Sequence, residues 1–91
     1  MLSVSYSSRF KRDLKAMQKR GKDMTRLYKV MLDLENEMPL DPKYMDHYLH
    51  GEHKGYKECH IEPDWLLIYL VNKKAGELYF ARTGSHSDLF E

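Results

Sequence analysis

In Trp65-Leu-Leu-Ile-Tyr-Leu-Val71 apolar residues succeed one another without a charge. A run this short, bounded by turn residues, reads as a β-strand buried on both faces. Before it stands Gly55-Tyr-Lys-Glu-Cys-His-Ile-Glu62, in which polar and apolar residues alternate as in a strand with one wet face. Pro63-Asp64 supplies a turn between them, so Gly55 to Leu70 is a hairpin. That hairpin sets Glu58, His60, Glu62 and Asp64 at the rim of the most apolar strand. Titratable groups on a rigid apolar support are what a catalytic site needs.

The rest of the chain is organised around this hairpin. Leu2 to Tyr6 alternates as a first strand, and Ser7 or Ser8 can serve as a helix N-cap. Phe10, Leu14 and Met17 at helical spacing predict an amphipathic helix from Arg9 to Arg20, closed by Gly21. Asp23 caps a second helix whose expected apolar stripe is Met24, Leu27, Tyr28, Met31 and Leu34. So short a link predicts an antiparallel helical hairpin. Met38-Pro-Leu-Asp-Pro42 stops the second helix, because proline lacks the N–H and clashes with the preceding turn. Lys43 to His53 reads as an irregular, histidine-rich connection with a brief strand at Tyr48-Leu49. Asn72 to Gly76 is a turn, Glu77 to Thr83 a last strand, and Ser85 to Phe90 a short tail. The expected class is α+β, with both helices on one sheet face.

The 91 residues suffice for one domain, residues 1–91. No basic region followed by a long apolar stretch marks a signal peptide, and the run at Trp65 is too short to span a bilayer. A lone cysteine, Cys59, fits a reducing cytoplasm. Net charge is +1, but residues 1–32 carry nine Lys/Arg against Asp13 and Asp23, and the remainder is acidic. Such asymmetry suits a surface that meets a polyanion, as well as an ordinary solvated helix face.

Strand parity sharpens the site. Tyr56, Glu58 and His60 share one face of their strand, and Lys57, Cys59 and Ile61 the other. If the helices cover the Cys59 face, Glu58 and His60 open onto the free one. On the last strand regular alternation groups Arg82 with Leu78 and Phe80. His47, His60 and His86 are candidates for proton transfer at neutral pH. RNA phosphodiester cleavage needs that chemistry: one group takes the 2′-OH proton and another protonates the departing 5′-oxygen. Arg82, with its planar donor fork, suits the charge on the pentacoordinate phosphorus. His47, His50, His53, Cys59 and His60 match no zinc spacing, and Cys59 lies across the strand from His60, which excludes a Cys–His pair. Trp65 reads as core, and Phe90 as a ring able to stack on an unpaired base.

Asp46-His47, Gly55-Tyr56, His60-Ile-Glu-Pro-Asp-Trp-Leu-Leu-Ile-Tyr69 and Arg82-Thr-Gly-Ser-His-Ser-Asp-Leu-Phe90 resemble the YafQ branch of the RelE/ParE toxin superfamily. The likeness extends to Gln18-Lys-Arg20 and Lys22-Asp-Met24, so it covers nearly the whole chain. It implies a small antiparallel sheet with two N-terminal helices on one face. It also implies a cytoplasmic toxin of a type II toxin–antitoxin pair that cuts mRNA in the ribosomal A site without a metal or other cofactor. By the same resemblance His47, His60, Asp64 and His86 form the catalytic set, while Arg82 contacts the scissile phosphate and Phe90 helps seat the RNA. The basic helices would lie against ribosomal RNA of the 30S subunit, and a DinJ-like, ribbon-helix-helix antitoxin would neutralise the toxin. Glu58 stands where the best-known member of the family has aspartate, so its role stays open. A ParE-type toxin that poisons gyrase without catalysis is the alternative, and the histidine set argues against it.

Overall fold

The computed structural model describes residues 1–90. Strand β1 (Ser3–Tyr6) leads through Ser7 into α1 (Ser8–Lys19), where the Ser7 hydroxyl accepts the Phe10 N–H at 2.9 Å. Gly21, at φ 78°, takes the left-handed conformation that turns the chain, and the Asp23 carboxylate accepts the Thr25 N–H to start α2 (Met24–Glu35). A 3₁₀ turn at Pro42–Tyr44, the two-residue strand β2 (His47–Tyr48) and a second 3₁₀ turn at Gly51–His53 make up the connection. The hairpin is β3 (Lys57–Glu62) and β4 (Trp65–Asn72), followed by β5 (Glu77–Gly84). Residues 86–90, expected as a tail, form a short helix, α3 (His86–Phe90).

The strands lie in the order β1-β5-β4-β3-β2. β1 runs parallel to β5, from Ser3 opposite Glu77 to Tyr6 opposite Phe80, whereas all other pairings are antiparallel. The sheet is therefore mixed rather than wholly antiparallel. A parallel neighbour needs a long crossover, and the two helices and the hairpin between β1 and β5 provide it.

α1 and α2 cover one face. Phe10 and Met17 from α1 and Leu27, Val30 and Leu34 from α2 pack onto Cys59, Ile61, Trp65, Leu67, Tyr69, Leu78 and Phe80. Tyr28, expected in that stripe, is 45% exposed, and Val30 takes its place at 0%. Trp65 to Tyr69 is buried throughout, as its composition predicts. The indole of Trp65 donates to the Thr83 hydroxyl at 3.0 Å, which donates in turn to the Leu66 carbonyl at 2.7 Å. The polar groups of the core are thus paired rather than stranded.

Regular alternation fails on β5. Tyr69 pairs with Phe80 but Ile68 with Arg82, so Ala81 is an extra residue in the ladder. A bulge of this kind reverses parity beyond it. Phe80 and Thr83 face the helices, and Arg82 leaves the strand on the opposite face, away from its expected companions Leu78 and Phe80. Its guanidinium reaches back to Asp13 of α1 round the β5 edge that β1 leaves open.

Candidate active site

Cross-strand partners share a face, which defines two rows on the side away from α1 and α2. One runs His47, Glu58, Ile68, Arg82, and the next His60, Leu66, Gly84. Leu66 and Ile68, at 0% and 5% exposed, make an apolar floor between polar flanks. Strand register alone brings three of the predicted residues, His47, His60 and Arg82, together with Glu58.

Glu58 is the centre of the first group. It is 6% exposed, and its Oε1 lies 3.3 Å from His60 Nε2 and 3.7 Å from His47 Nε2. The Met45 carbonyl lies 2.6 Å from His47 Nδ1. A carbonyl can only accept, so Nδ1 carries the proton and His47 turns its Nε2 toward Glu58. The loop bearing His47 is tied down by Asp46, which accepts from Lys57 Nζ at 2.7 Å and from the Tyr69 hydroxyl. Burial and the Asp46 bond push the Tyr69 hydroxyl pKa well up, so it stays a donor.

The second group comes from the β3–β4 turn and α3. One oxygen of Asp64 accepts both the His86 backbone N–H, at 2.9 Å, and His86 Nδ1, at 2.6 Å. These bonds, the backbone one foremost, hold the Asp64 carboxyl below the usual carboxylate range. With Nδ1 donating to a carboxylate, His86 Nε2 is left as the ring nitrogen able to exchange a proton with a substrate. Ring centroids of His60 and His86 stand 5.9 Å apart, and those of His47 and His60 6.4 Å. That spacing lets one phosphate group come within hydrogen-bond reach, about 2.6–3.2 Å, of two rings.

Arg82 is not wholly free. Its Nε and Nη2 donate to Asp13 of α1 at 2.8 and 3.3 Å, and Asp13 also accepts the Thr83 N–H at 3.1 Å. Among the described residues Nη1 has no hydrogen-bond partner, so one edge of the guanidinium stays available. Phe90 is 44% exposed and meets His53 edge-to-face, with centroids 5.9 Å apart. His53, which in sequence alone has the look of a plain surface residue, is therefore part of this rim.

Three contributors escape sequence reasoning or are left open by it. Glu58 is one. Asp13 is another, although it is the only acid before Asp23 in a strongly basic segment, which marks it as a partner for something. The third is the Arg20–Asp88 fork, with bonds of 2.6 and 2.9 Å, which ties α3 to the end of α1. Arg20, with the Ser85 N–H, holds the Asp88 carboxyl far below its ordinary range. Gly84 permits this docking: a Cβ there would come within 2.9 Å of the Asp88 side chain.

A family described as bacterial toxins of type II toxin–antitoxin systems, YafQ, matches residues 2–91, and the chain belongs to that family. Escherichia coli K12 mRNA interferase toxin YafQ is 47% identical over 88 residues, 96% of this chain and 94% of that one. The E. coli YafQ subunit of a crystallised DinJ–YafQ complex superposes with a TM-score of 0.91 at 43% identity, covering all of both chains (100% and 100%). A metal-bound toxin from Helicobacter pylori gives a TM-score of 0.92 at 48% identity, over 99% of this chain and 100% of that one. Here, among the described residues, no three His, Cys, Asp or Glu side chains are grouped so as to hold a metal ion.

Proposed function

We propose that this chain is an mRNA interferase, the toxin of a type II pair, that cuts mRNA on the ribosome in the cytoplasm. The observation that carries the reading is the convergence of His47, His60 and His86 over an apolar floor beside Arg82, in a chain 47% identical to a protein named for that activity. His60 and His86 serve as the proton-transfer pair, one taking the 2′-OH proton and the other supplying one to the 5′-oxygen as it leaves. Asp64 fixes the tautomer and aim of His86, Glu58 does so for His60, and the Met45 carbonyl does so for His47. The free edge of Arg82 faces the phosphate and steadies charge on the pentacoordinate phosphorus, its other edge being held by Asp13. Phe90 gives a ring for a flanking base, and the basic faces of α1 and α2 lie against ribosomal RNA. A DinJ-like antitoxin keeps the toxin silent, as DinJ is crystallised with the E. coli relative.

Primer extension on mRNA from cells expressing the chain tests this. Cuts phased with the codons that vanish in His86→Ala support it. Intact mRNA together with inhibited supercoiling would replace the nuclease with a gyrase poison.

A further inference from the structure

β2 pairs only with Lys57 and Glu58, so the last residues of β3 have an uncovered edge. Along that edge runs a groove of about 560 Å³, walled by α2 on one side and by the 3₁₀ turn at Pro42–Tyr44 on the other. His60 belongs to its lining, so the groove is continuous with the histidine row.

Its electrostatics are one-sided. Among the described residues Glu62 is the only carboxylate in the lining, and it is already engaged by Lys22 at 3.1 Å and Arg26 at 2.6 Å. Two ammonium groups remain, one on each wall. Lys29, itself exposed, has a half-buried partner one turn along its own helix, Asp33 at 2.8 Å, in a pair that water and salt reach from the lysine side. Lys43 lies 5.2 Å over the Tyr44 ring and, among the described residues, has no carboxylate partner. Tyr44 and Met45 add apolar surface between the cations.

The wall that carries Lys43 is stiff. Asp41 accepts the Lys43 N–H at 2.9 Å, Pro42 holds the first position, and Met45 ends the turn in the left-handed conformation at φ 52°. The Met45 carbonyl is the acceptor for His47 Nδ1. Whatever fills the groove therefore lies against the turn that aims His47.

We propose that this groove is a second RNA subsite. It takes the backbone of the single-stranded segment adjoining the scissile phosphate, through Lys29 and Lys43. The inference rests on the nuclease reading, and RNA is favoured over an acidic peptide because the groove shares His60 with the place where a phosphodiester is held. A chain leaving that place carries one phosphate per nucleotide, a spacing that cations on facing walls can meet.

Fluorescence anisotropy of the intact toxin with a labelled 2′-O-methyl oligouridine reads binding without cleavage, since the nucleophile is blocked. Loss of two single-strand phosphate contacts should lower the slope of log affinity against log salt by about 1.4 in Lys29→Ala/Lys43→Ala. The exposed pair Lys73→Ala/Lys74→Ala removes equal charge from the β4–β5 turn and should leave that slope unchanged. In ribosomal cleavage the groove pair should raise KM with kcat retained, the mark of lost ground-state binding. An unchanged slope, or equal losses in both pairs, overturns the subsite. So does a groove pair that keeps RNA binding and loses its antitoxin. If the slope falls in a chain that cuts no mRNA, the nuclease reading fails and the groove survives. Cleavage indifferent to the groove pair has the reverse meaning.

Discussion

Two halves of the candidate site are held in contrasting ways. His47, Glu58 and His60 project from neighbouring strands, and their positions are dictated by hydrogen-bond register. Their orienting carboxylate is sheltered, with 9% of the Glu58 side chain and 17% of the His60 side chain exposed. His86 and Asp64 sit on a short helix and a turn, with 54% and 69% of their side chains exposed. That half is docked by the Arg20–Asp88 ion pair, which spans most of the sequence. The first half is as rigid as the sheet. The second can be released while the sheet stays folded, because local opening is cheapest where contacts are few and wet.

The contrast can be broken in five places. His86→Ala should be the most damaging, lowering single-turnover cleavage on programmed ribosomes by about 10²–10⁴-fold, the usual worth of a proton-transfer group. Glu58→Gln should come next at about 10³-fold, between the cost of a misplaced group and that of a lost imidazole orienter. Asp64→Asn should cost less, since the His86 backbone N–H still has an oxygen to bond. An order in which Asp64→Asn exceeds Glu58→Gln would refute the sheltered half as the stiffer one.

Gly84→Ala should displace α3, because the added Cβ meets the Asp88 side chain at 2.9 Å. A shift of the order of 1 Å would cost about 10²-fold or less in rate, with little change in Tm, and NMR shift changes should be confined to residues 84–90. Changes spread over β3 would instead show that the two halves are one unit.

The smallest effect is the most selective. Asp88 has a folded-state pKa below its unfolded value, chiefly from Arg20, so its contribution is present above the ordinary carboxylate range near pH 4 and is lost as pH falls through the depressed folded value. α3 should therefore stay docked when acid is added through pH 4, as followed by the Leu89 amide, which bonds to the Ser85 carbonyl. In Arg20→Ala that release should move upward toward pH 4 while the β3 and β4 amides are unaffected. Identical release in both proteins would show that the fork does not hold α3.

Much of this was legible because it depends on neighbours in sequence. The helices announce themselves through Phe10, Leu14 and Met17 and through caps at Ser7 and Asp23. β4 is identified by an unbroken apolar run, and the face of His60 by simple alternation. The side of Arg82 could not be read that way, because one extra residue at Ala81 reverses the count and nothing local to Arg82 records it. Tyr28 failed for a related reason: a stripe wide enough to include it also fits Val30, and only the angle at which α2 meets the sheet selects between them.

What the sequence determined alone is the inventory: three imidazoles, two carboxylates beside them in the chain, a guanidinium, and the strands and helices that carry them. Those follow from local propensity and period. Which carboxylate faces which imidazole was decided only by the tertiary structure, through the register that sets Glu58 between His47 and His60. The same is true of Arg82 with Asp13 and Asp88 with Arg20, pairs 69 and 68 residues apart. The physical reason is range. A helix cap or an apolar run acts within a few residues, whereas an ion pair acts over a few ångströms of space, and the folded sheet alone brings those charges within reach.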